Sequence, residues 1–67
     1  MELKIRDAFI KLDTAMKLAG LVDTGGQAKY YLAEEMVLVN DEVETRRGRK
    51  LYPGDWFSLE GQRVRIL

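Results

Sequence analysis

The absence of both cysteine and histidine is the feature that most limits what this chain of 67 residues can be. A chain of this length buries only about 60% of the surface that its unfolded form exposes, so its stability is marginal. Without cysteine it has no disulfide to support a small core, and without either residue it has no ordinary zinc site. Hydrophobic packing alone must hold the fold, and we expect a single domain over residues 1–67.

The same two absences exclude several classes of enzyme. Cysteine nucleophiles, Ser-His-Asp triads and histidine acid–base chemistry are all ruled out. The acidic residues show no paired arrangement, and a pocket is hard to wall with so few residues. We therefore expect no catalytic residue, no cofactor and no bound metal. The alternative is a small enzyme that uses carboxylates, lysine, tyrosine or serine.

The apolar runs are short, and the first residues lack the character of a signal peptide. A cysteine-free composition suits the cytoplasm. We expect a cytoplasmic monomer with no membrane partner.

Hydrophobic spacing predicts two helices in the N-terminal half. Asp13 is the expected N-cap of the first helix, and Gly20 its left-handed C-terminal residue. Thr24 and Gln27 have the spacing of a capping box, so a second helix is expected from about Gly25 to about Glu35. The expected buried stripes are Leu12, Ala15, Met16 and Ala19 on the first helix, and Ala28, Tyr31 and Leu32 on the second.

Alternation of period two predicts short strands around these helices. In chain order the expected strands and turns are Leu3–Ile5, Val37–Val39, the Asn40–Asp41 hairpin turn, Val43, the turn Tyr52-Pro53-Gly54-Asp55, Trp56–Leu59, and a last strand with Val64 and Ile66. The aromatic residues expected in the core are Trp56, Phe57, Phe9 and Tyr31, whereas Tyr52 fits either the core or the surface. The predicted fold class is α+β, with the two helices packed on a small, mostly antiparallel sheet.

The total charge of the chain is zero, but basic residues are concentrated in one loop, Thr45–Lys50. The chain has 11 basic and 11 acidic residues, and four of the basic ones lie between Arg46 and Lys50. Without them the remainder carries seven basic against 11 acidic residues, or 7 − 11 = −4. Arginine donates two parallel hydrogen bonds to phosphate, and Gly48 permits close approach. The loop predicts contact with a nucleic-acid backbone, and a merely solvated loop is the alternative.

The Gly25-Gly26 pair at the start of the second helix has two interpretations. Free backbone N–H groups at a helix N-terminus favour anions, and Lys29 lies one turn later. The pair also suits a tight turn closed by the capping box. Tyr30 lies off the apolar stripe and could stack on a base.

The motifs Leu12-Asp13, Ala19-Gly20-Leu21-Val22, Thr24-Gly25-Gly26-Gln27-Ala28-Lys29, Val37-Leu38-Val39-Asn40, Arg46-Arg47-Gly48-Arg49-Lys50-Leu51 and Pro53-Gly54-Asp55 occur in this order. Together they resemble the RNA-binding domain named after ribosomal small-subunit protein four, the S-four or alpha-L domain. The likeness is strongest to its small stand-alone bacterial YaaA/YbcJ-like branch. It covers about residues 9–59 and implies the alpha-L fold and RNA binding.

The resemblance also implies which residues contact RNA. These are Thr24, Gly25, Gly26, Gln27, Lys29, Asn40, Arg46, Arg47, Arg49 and Lys50, with Lys11 and Lys17 of the first helix as additions. The chain lacks the arginine that many members carry near Gly25, and Asp41 and Glu35 stand where members commonly have glycine. The missing arginine leaves backbone amides to supply that phosphate contact.

These observations favour a non-enzymatic protein that binds structured ribosomal RNA by phosphate and shape contacts, in ribosome assembly or maturation. The expected partners are this RNA and the ribosome or its assembly intermediates. The alternative is a protein–protein adaptor that docks its arginine loop on an acidic partner surface, since the electrostatics would be similar.

Overall fold

The computed structural model describes all residues, 1–67. Two helices and seven strands follow in the order β1 (Glu2–Leu3), β2 (Ile10–Lys11), α1 (Leu12–Leu18), α2 (Gly25–Ala33), β3 (Val37–Val39), β4 (Glu42–Val43), β5 (Lys50–Leu51), β6 (Trp56–Leu59) and β7 (Gln62–Ile66). The α+β class and the two N-terminal-half helices are confirmed.

Helix α1 begins without the predicted side-chain cap. Its N-cap residue is Lys11, and Asp13 lies inside the first turn, so the prediction of an Asp13 cap is wrong. The backbone N–H groups of Leu12 and Asp13 instead donate to the carbonyl oxygens of Arg49 and Arg47, at 2.9 and 3.2 Å. Carbonyl groups of a distant loop thus satisfy the unpaired amides that a local cap would otherwise serve.

The C-terminus of α1 follows the prediction. Gly20 has a φ of 77°, in the left-handed region. Its N–H donates to the carbonyl of Lys17, and that of Leu21 donates to Met16, both at 3.0 Å. This is the Schellman pattern that glycine favours after a helix. The predicted buried stripe of α1 is also confirmed.

Helix α2 begins at its predicted cap. The N–H of Gln27 donates to Oγ1 of Thr24 at 3.1 Å. The Gln27 side chain accepts from the N–H of Asp23 at 2.7 Å, one residue before the position usual in a capping box. The helix ends at Ala33, and Glu35 takes a φ of 58° in place of the glycine common there.

The main sheet has the strand order β1-β7-β6-β3-β4. Only β1 and β7 pair in parallel, so the prediction of a mostly antiparallel sheet is confirmed. The first strand is shorter than the predicted Leu3–Ile5, because β7 ends at Ile66, the partner of Leu3, and leaves later residues no strand to pair with. Ile5 packs against the core instead.

A second, two-stranded sheet joins β2 and β5 antiparallel, with Ile10 opposite Leu51 and Lys11 opposite Lys50. This sheet was not predicted from the sequence, because strands of two residues are too short to show an alternation of apolar and polar residues. This small sheet ties the segment before α1 to the end of the basic loop.

The predicted turns are confirmed. Asn40 and Asp41 have φ values of 49° and 71°, which make a type I′ hairpin turn between β3 and β4. Between Leu51 and β6, Gly54 has a φ of 100°, and the N–H of Asp55 donates to the carbonyl of Tyr52 at 2.9 Å. The latter is the type II turn that Pro-Gly favours.

The core lies between the two helices and the inner faces of the strands. Its largest fully buried side chain is Phe57, and Tyr31 packs against the core at its margin. Phe9 and Trp56 were expected in the core, but both are half-buried at its edge. Because side chains alternate along β6, Trp56 lies on the outer face of the sheet, opposite to the buried Phe57. There the Cζ atom of Arg63 lies 3.8 Å from the centroid of the Trp56 ring. No helix is both long and apolar enough to span a membrane.

Candidate nucleic-acid interface

Glu44 is a buried carboxylate that binds the backbone and two arginines of the basic loop (Thr45–Lys50). It is 6% exposed. Its Oε2 atom accepts hydrogen bonds from the backbone N–H groups of Thr45 and Arg46 and from Nε of Arg46, each at 3.0 Å. Its Oε1 atom accepts from Nη2 of Arg46 at 3.0 Å and from Nη1 of Arg49 at 2.8 Å. One carboxylate therefore holds both the loop backbone and two of its four cations.

These contacts set the pKa of Glu44 far below its ordinary value. The side-chain hydrogen bonding of Arg46 lowers the pKa most, partial burial opposes it, and the hydrogen bond from Arg49 lowers it further. The pKa falls from 4.5 to about 2. The same pairing raises the pKa of Arg46. Glu44 is thus ionised at every pH near neutrality, and the loop is held by a lasting ion pair.

Glu44 also changes the charge that the loop presents. Four cations less one carboxylate leave 4 − 1 = +3. The paired guanidinium groups remain accessible, since the side chain of Arg46 is 71% exposed and that of Arg49 is 34% exposed. Arg47 is exposed and makes no ion pair. The loop therefore presents two oriented guanidinium groups and one unpaired one.

Three of the four cations of the loop line a single concavity. Arg46, Gly48, Arg49 and Lys50 line an open hollow of about 550 Å³ with no hydrophobic residue. A hollow lined only by cations and a glycine attracts phosphate and offers nothing to an apolar ligand.

The loop is attached rigidly to the start of α1, which brings Lys11 beside it. Two loop carbonyls accept the first amides of the helix, as described above. In the small sheet, Lys11 lies directly opposite Lys50. The predicted residues Lys11, Arg46, Arg47, Arg49 and Lys50 thus form one group, which we call the loop group.

A second group forms where α1 ends and α2 begins. The Nζ atom of Lys17 lies 4.0 Å from the position that a Cβ of Gly25 would occupy. Gly25 is half-buried and Gly26 is exposed. Because seven helical residues span about 10 Å, α1 keeps this group close to the loop group.

The other predicted residues at the start of α2 differ in whether their side chains already make hydrogen bonds within the protein. Oγ1 of Thr24 and Oε1 of Gln27 are already engaged as hydrogen-bond acceptors at the helix start. Lys29 and Tyr30 are exposed, and the Tyr30 ring makes an edge contact with Tyr31, with centroids 5.6 Å apart. Lys29 and Tyr30 therefore make no side-chain hydrogen bond, whereas Thr24 and Gln27 keep only their donor groups free.

Asn40 stands apart from both groups. Its Nδ2 atom donates to Oδ1 of Asp55 at 3.1 Å, and its Oδ1 atom accepts from the N–H of Trp56 at 3.1 Å. No hydrogen bond or ion pair joins it to the loop group. The side chain fastens the β3–β4 turn to β6 and keeps one amide N–H for a ligand.

Glu44, on which the loop contacts converge in the structure, was not predicted from the sequence. A carboxylate two residues before an arginine run was the available signal. The chain has no group of three or more acidic side chains that could hold a metal ion.

Known proteins are similar to this chain over most of its length. The chain is similar to the Bacillus subtilis (strain 168) protein named "Probable ribosome maturation protein RlbA", with 49% identity over 59 residues, covering 88% of this chain and 83% of that protein. It is also similar to the Escherichia coli (strain K12) protein named "Putative RNA-binding protein YbcJ", with 36% identity over 58 residues, covering 87% and 83% of the two chains.

The fold itself has a solved counterpart. The solution structure of YbcJ from E. coli, described as revealing an alpha-L motif involved in RNA-binding, superposes with a TM-score of 0.75 and 31% identity. The alignment covers 98% of this chain and 85% of that one. The model of the S4 domain matches residues 3–67. With nearly its whole length matched in sequence and in fold, this chain belongs to the S4 domain family.

Proposed function

We propose that this protein is a non-enzymatic RNA-binding module and that its loop group is the main contact surface. The observation that carries the proposal is the cationic hollow lined by Arg46, Gly48, Arg49 and Lys50, in which both arginines are paired with Glu44. The names of two relatives, one for RNA binding and one for ribosome maturation, support it.

The hollow suits phosphate groups because its cations are oriented before any ligand arrives. Glu44 occupies two of the five N–H donors of Arg46 and one of those of Arg49. The remaining donors stay available in a fixed direction. Such preorganisation reduces the conformational entropy that binding would otherwise cost.

The second group supplies a further contact surface in this proposal. The amides of Gly25 and Gly26 and the ammonium group of Lys17 receive a second phosphate. Tyr30 stacks on a base, and Lys29 adds charge. The complete proposed set is Lys11, Lys17, Thr24, Gly25, Gly26, Gln27, Lys29, Tyr30, Asn40, Arg46, Arg47, Arg49 and Lys50.

The finer parts of the proposal concern the RNA and the setting. We propose structured ribosomal RNA as the ligand and ribosome maturation in the cytoplasm as the process, with residues 1–67 acting as one domain and as a monomer. Duplex RNA displays phosphates and 2′-hydroxyls more readily than base edges, which matches a surface rich in arginine and lysine.

The test compares two double variants of equal charge. Arg47→Gln with Lys50→Gln removes two cations of the loop group that make no ion pair. Arg63→Gln with Arg65→Gln removes two cations from β7, outside the proposed surface. Binding to fragments of protein-free ribosomal RNA is measured by fluorescence anisotropy between about 50 and 200 mM salt.

We expect the affinity of the natural protein to fall as salt rises. The loop variant should bind more weakly, and the slope of log affinity against log salt should decrease by about two. The β7 variant should keep the larger slope. Equal affinity and slope in the two variants would refute the proposed surface, and absence of binding by the natural protein would refute RNA binding.

A further inference from the structure

The small β2–β5 sheet has an outer face that the proposed contact surface does not explain. Ile10 and Leu51 are paired across the sheet and turn toward the core. Because side chains alternate along a strand, the flanking residues lie on the opposite face. That outer face consists of Phe9, Lys11, Lys50 and Tyr52, which we call the aromatic–lysine face.

Two like charges oppose each other on this face. Lys11 and Lys50 are direct cross-strand partners, and neither makes an ion pair. Like charges directly opposite in a sheet are destabilising. The Nζ atom of Lys50 lies 4.8 Å from the centroid of the Phe9 ring, which leaves the ammonium group beside an aromatic face. An anion bound between the two ammonium groups would relieve their mutual repulsion.

Two aromatic rings continue the same face. The centroids of Phe9 and Tyr52 are 6.0 Å apart, and the rings are inclined by 50°. Tyr52 is 48% exposed, and no hydrogen bond involves its hydroxyl group. Phe9 also borders a groove of about 310 Å³ whose lining includes Lys4, Asp7 and Leu18 but not Tyr52. Open space therefore exists beside the Phe9 ring, and the exposed side of Tyr52 faces solvent.

We propose that the aromatic–lysine face takes one unpaired RNA nucleotide, whose base stacks on Tyr52 and Phe9 while its flanking phosphates lie at Lys11 and Lys50. This inference rests on the proposed RNA binding and adds that the RNA carries an unstacked base beside its helix. Every base has a π-face, so such stacking needs no particular sequence. Lys50 lines both this face and the cationic hollow, which makes the nucleotide site continuous with the phosphate site.

The occupant follows from the charges on the face. Neither lysine has a carboxylate partner, so the face favours an anionic ligand. The two aromatic rings favour a ligand that also has a planar group. A nucleotide combines both properties. A paired base inside a helix is unavailable, because its faces are covered by its neighbours.

The test uses three RNA hairpins that differ at one position. One carries a single bulged adenosine, one carries an abasic nucleotide at the bulge, and one is fully paired. The abasic bulge keeps the phosphate charge and removes the base. The natural protein should bind the adenosine bulge roughly 5- to 150-fold more tightly than the abasic one, the range for stacking of one base.

The variants separate stacking from other effects. Tyr52→Ala should strongly reduce the preference for adenosine, because Phe9 alone is left to stack, and should leave affinity for the paired hairpin unchanged. Tyr52→Phe should keep the preference. Val43→Ala is the control, because Val43 is 51% exposed on β4, outside the proposed surface. Circular dichroism checks that each variant is folded.

Each result decides the inference. Binding of all three hairpins with equal affinity would overturn the nucleotide site while leaving RNA binding intact. Binding of none would overturn both. Tighter binding of a short poly-glutamate peptide than of the adenosine-bulge hairpin, with loss of the peptide affinity in Tyr52→Ala, would identify an acidic protein as the occupant and overturn the inference.

Discussion

Replacing Glu44 with glutamine tests whether one carboxylate organises the basic loop. Glutamine keeps the shape but only one acceptor oxygen, and its amide can place that oxygen where Oε2 now accepts three hydrogen bonds. The NH₂ group then lies where Oε1 accepts from Nη2 of Arg46 and Nη1 of Arg49, so two guanidinium donors face a donor and the negative charge is lost. We expect the variant to fold with a looser loop and lower stability.

The pKa of Glu44 gives the magnitude. A fall from 4.5 to about 2 means that the ionised carboxylate is favoured in the folded chain by about 3 kcal/mol. Solvent screening reduces this figure, because the Arg46 side chain is 71% exposed. We therefore expect Glu44→Gln to lower the free energy of unfolding by about 1–2 kcal/mol near neutral pH.

The pH dependence has a definite sign. A lowered pKa in the folded state contributes stability that is complete above the unfolded pKa, near 4.5, and is lost as pH falls toward about 2. The gap in stability between the natural protein and Glu44→Gln should thus be constant above about pH 5 and shrink below it.

Urea unfolding, followed by circular dichroism at several pH values, measures this gap. Glu42→Gln is the control, because Glu42 is exposed and unpaired two residues earlier on β4. It should cost less than about 0.5 kcal/mol. An unchanged gap between neutral pH and about pH 3, or equal costs for the two variants, would refute the role assigned to Glu44.

Three further changes test the backbone. Glu35→Gly should raise the free energy of unfolding by about 1 kcal/mol, measured by urea unfolding, because Glu35 has a φ of 58°, a conformation that costs less for glycine. Gly20→Ala should lower stability by about 1–2 kcal/mol, since Gly20 has a φ of 77° and open space around it, so strain and not a clash is the cause. Asn40→Ala should cost about 2 kcal/mol through its lost bonds to Asp55 and Trp56, measured by thermal unfolding. No change in any one of these measurements would contradict the corresponding assignment.

Much of the fold could be predicted where the cause is local. The Thr24 cap, the left-handed Gly20 and the Asn40–Asp41 turn each depend on a few neighbouring residues. The failed Asp13 cap shows the limit, because loop carbonyls more than 30 residues away supply the same hydrogen bonds. The β2–β5 sheet escaped prediction because its two-residue strands are defined only by pairing.

The candidate site also has a part that could be predicted from the sequence and a part that depends on the tertiary structure. The basic residues of the loop and the glycine between them could be predicted as a site from the sequence, because they are consecutive in the chain. The positions of Phe9 and Tyr52 on one outer face depend on the pairing of β2 with β5.

The sequence by itself therefore determined the two helices, the turns and the existence of a basic loop in an otherwise acidic chain. Only the tertiary structure decided the loop's effective charge, its attachment to α1 and the orientation of its arginines. The physical reason is that Glu44 is buried by folding, and a carboxylate out of bulk water must be paired. Arg46 and Arg49 provide that pairing, and in doing so they become an oriented surface.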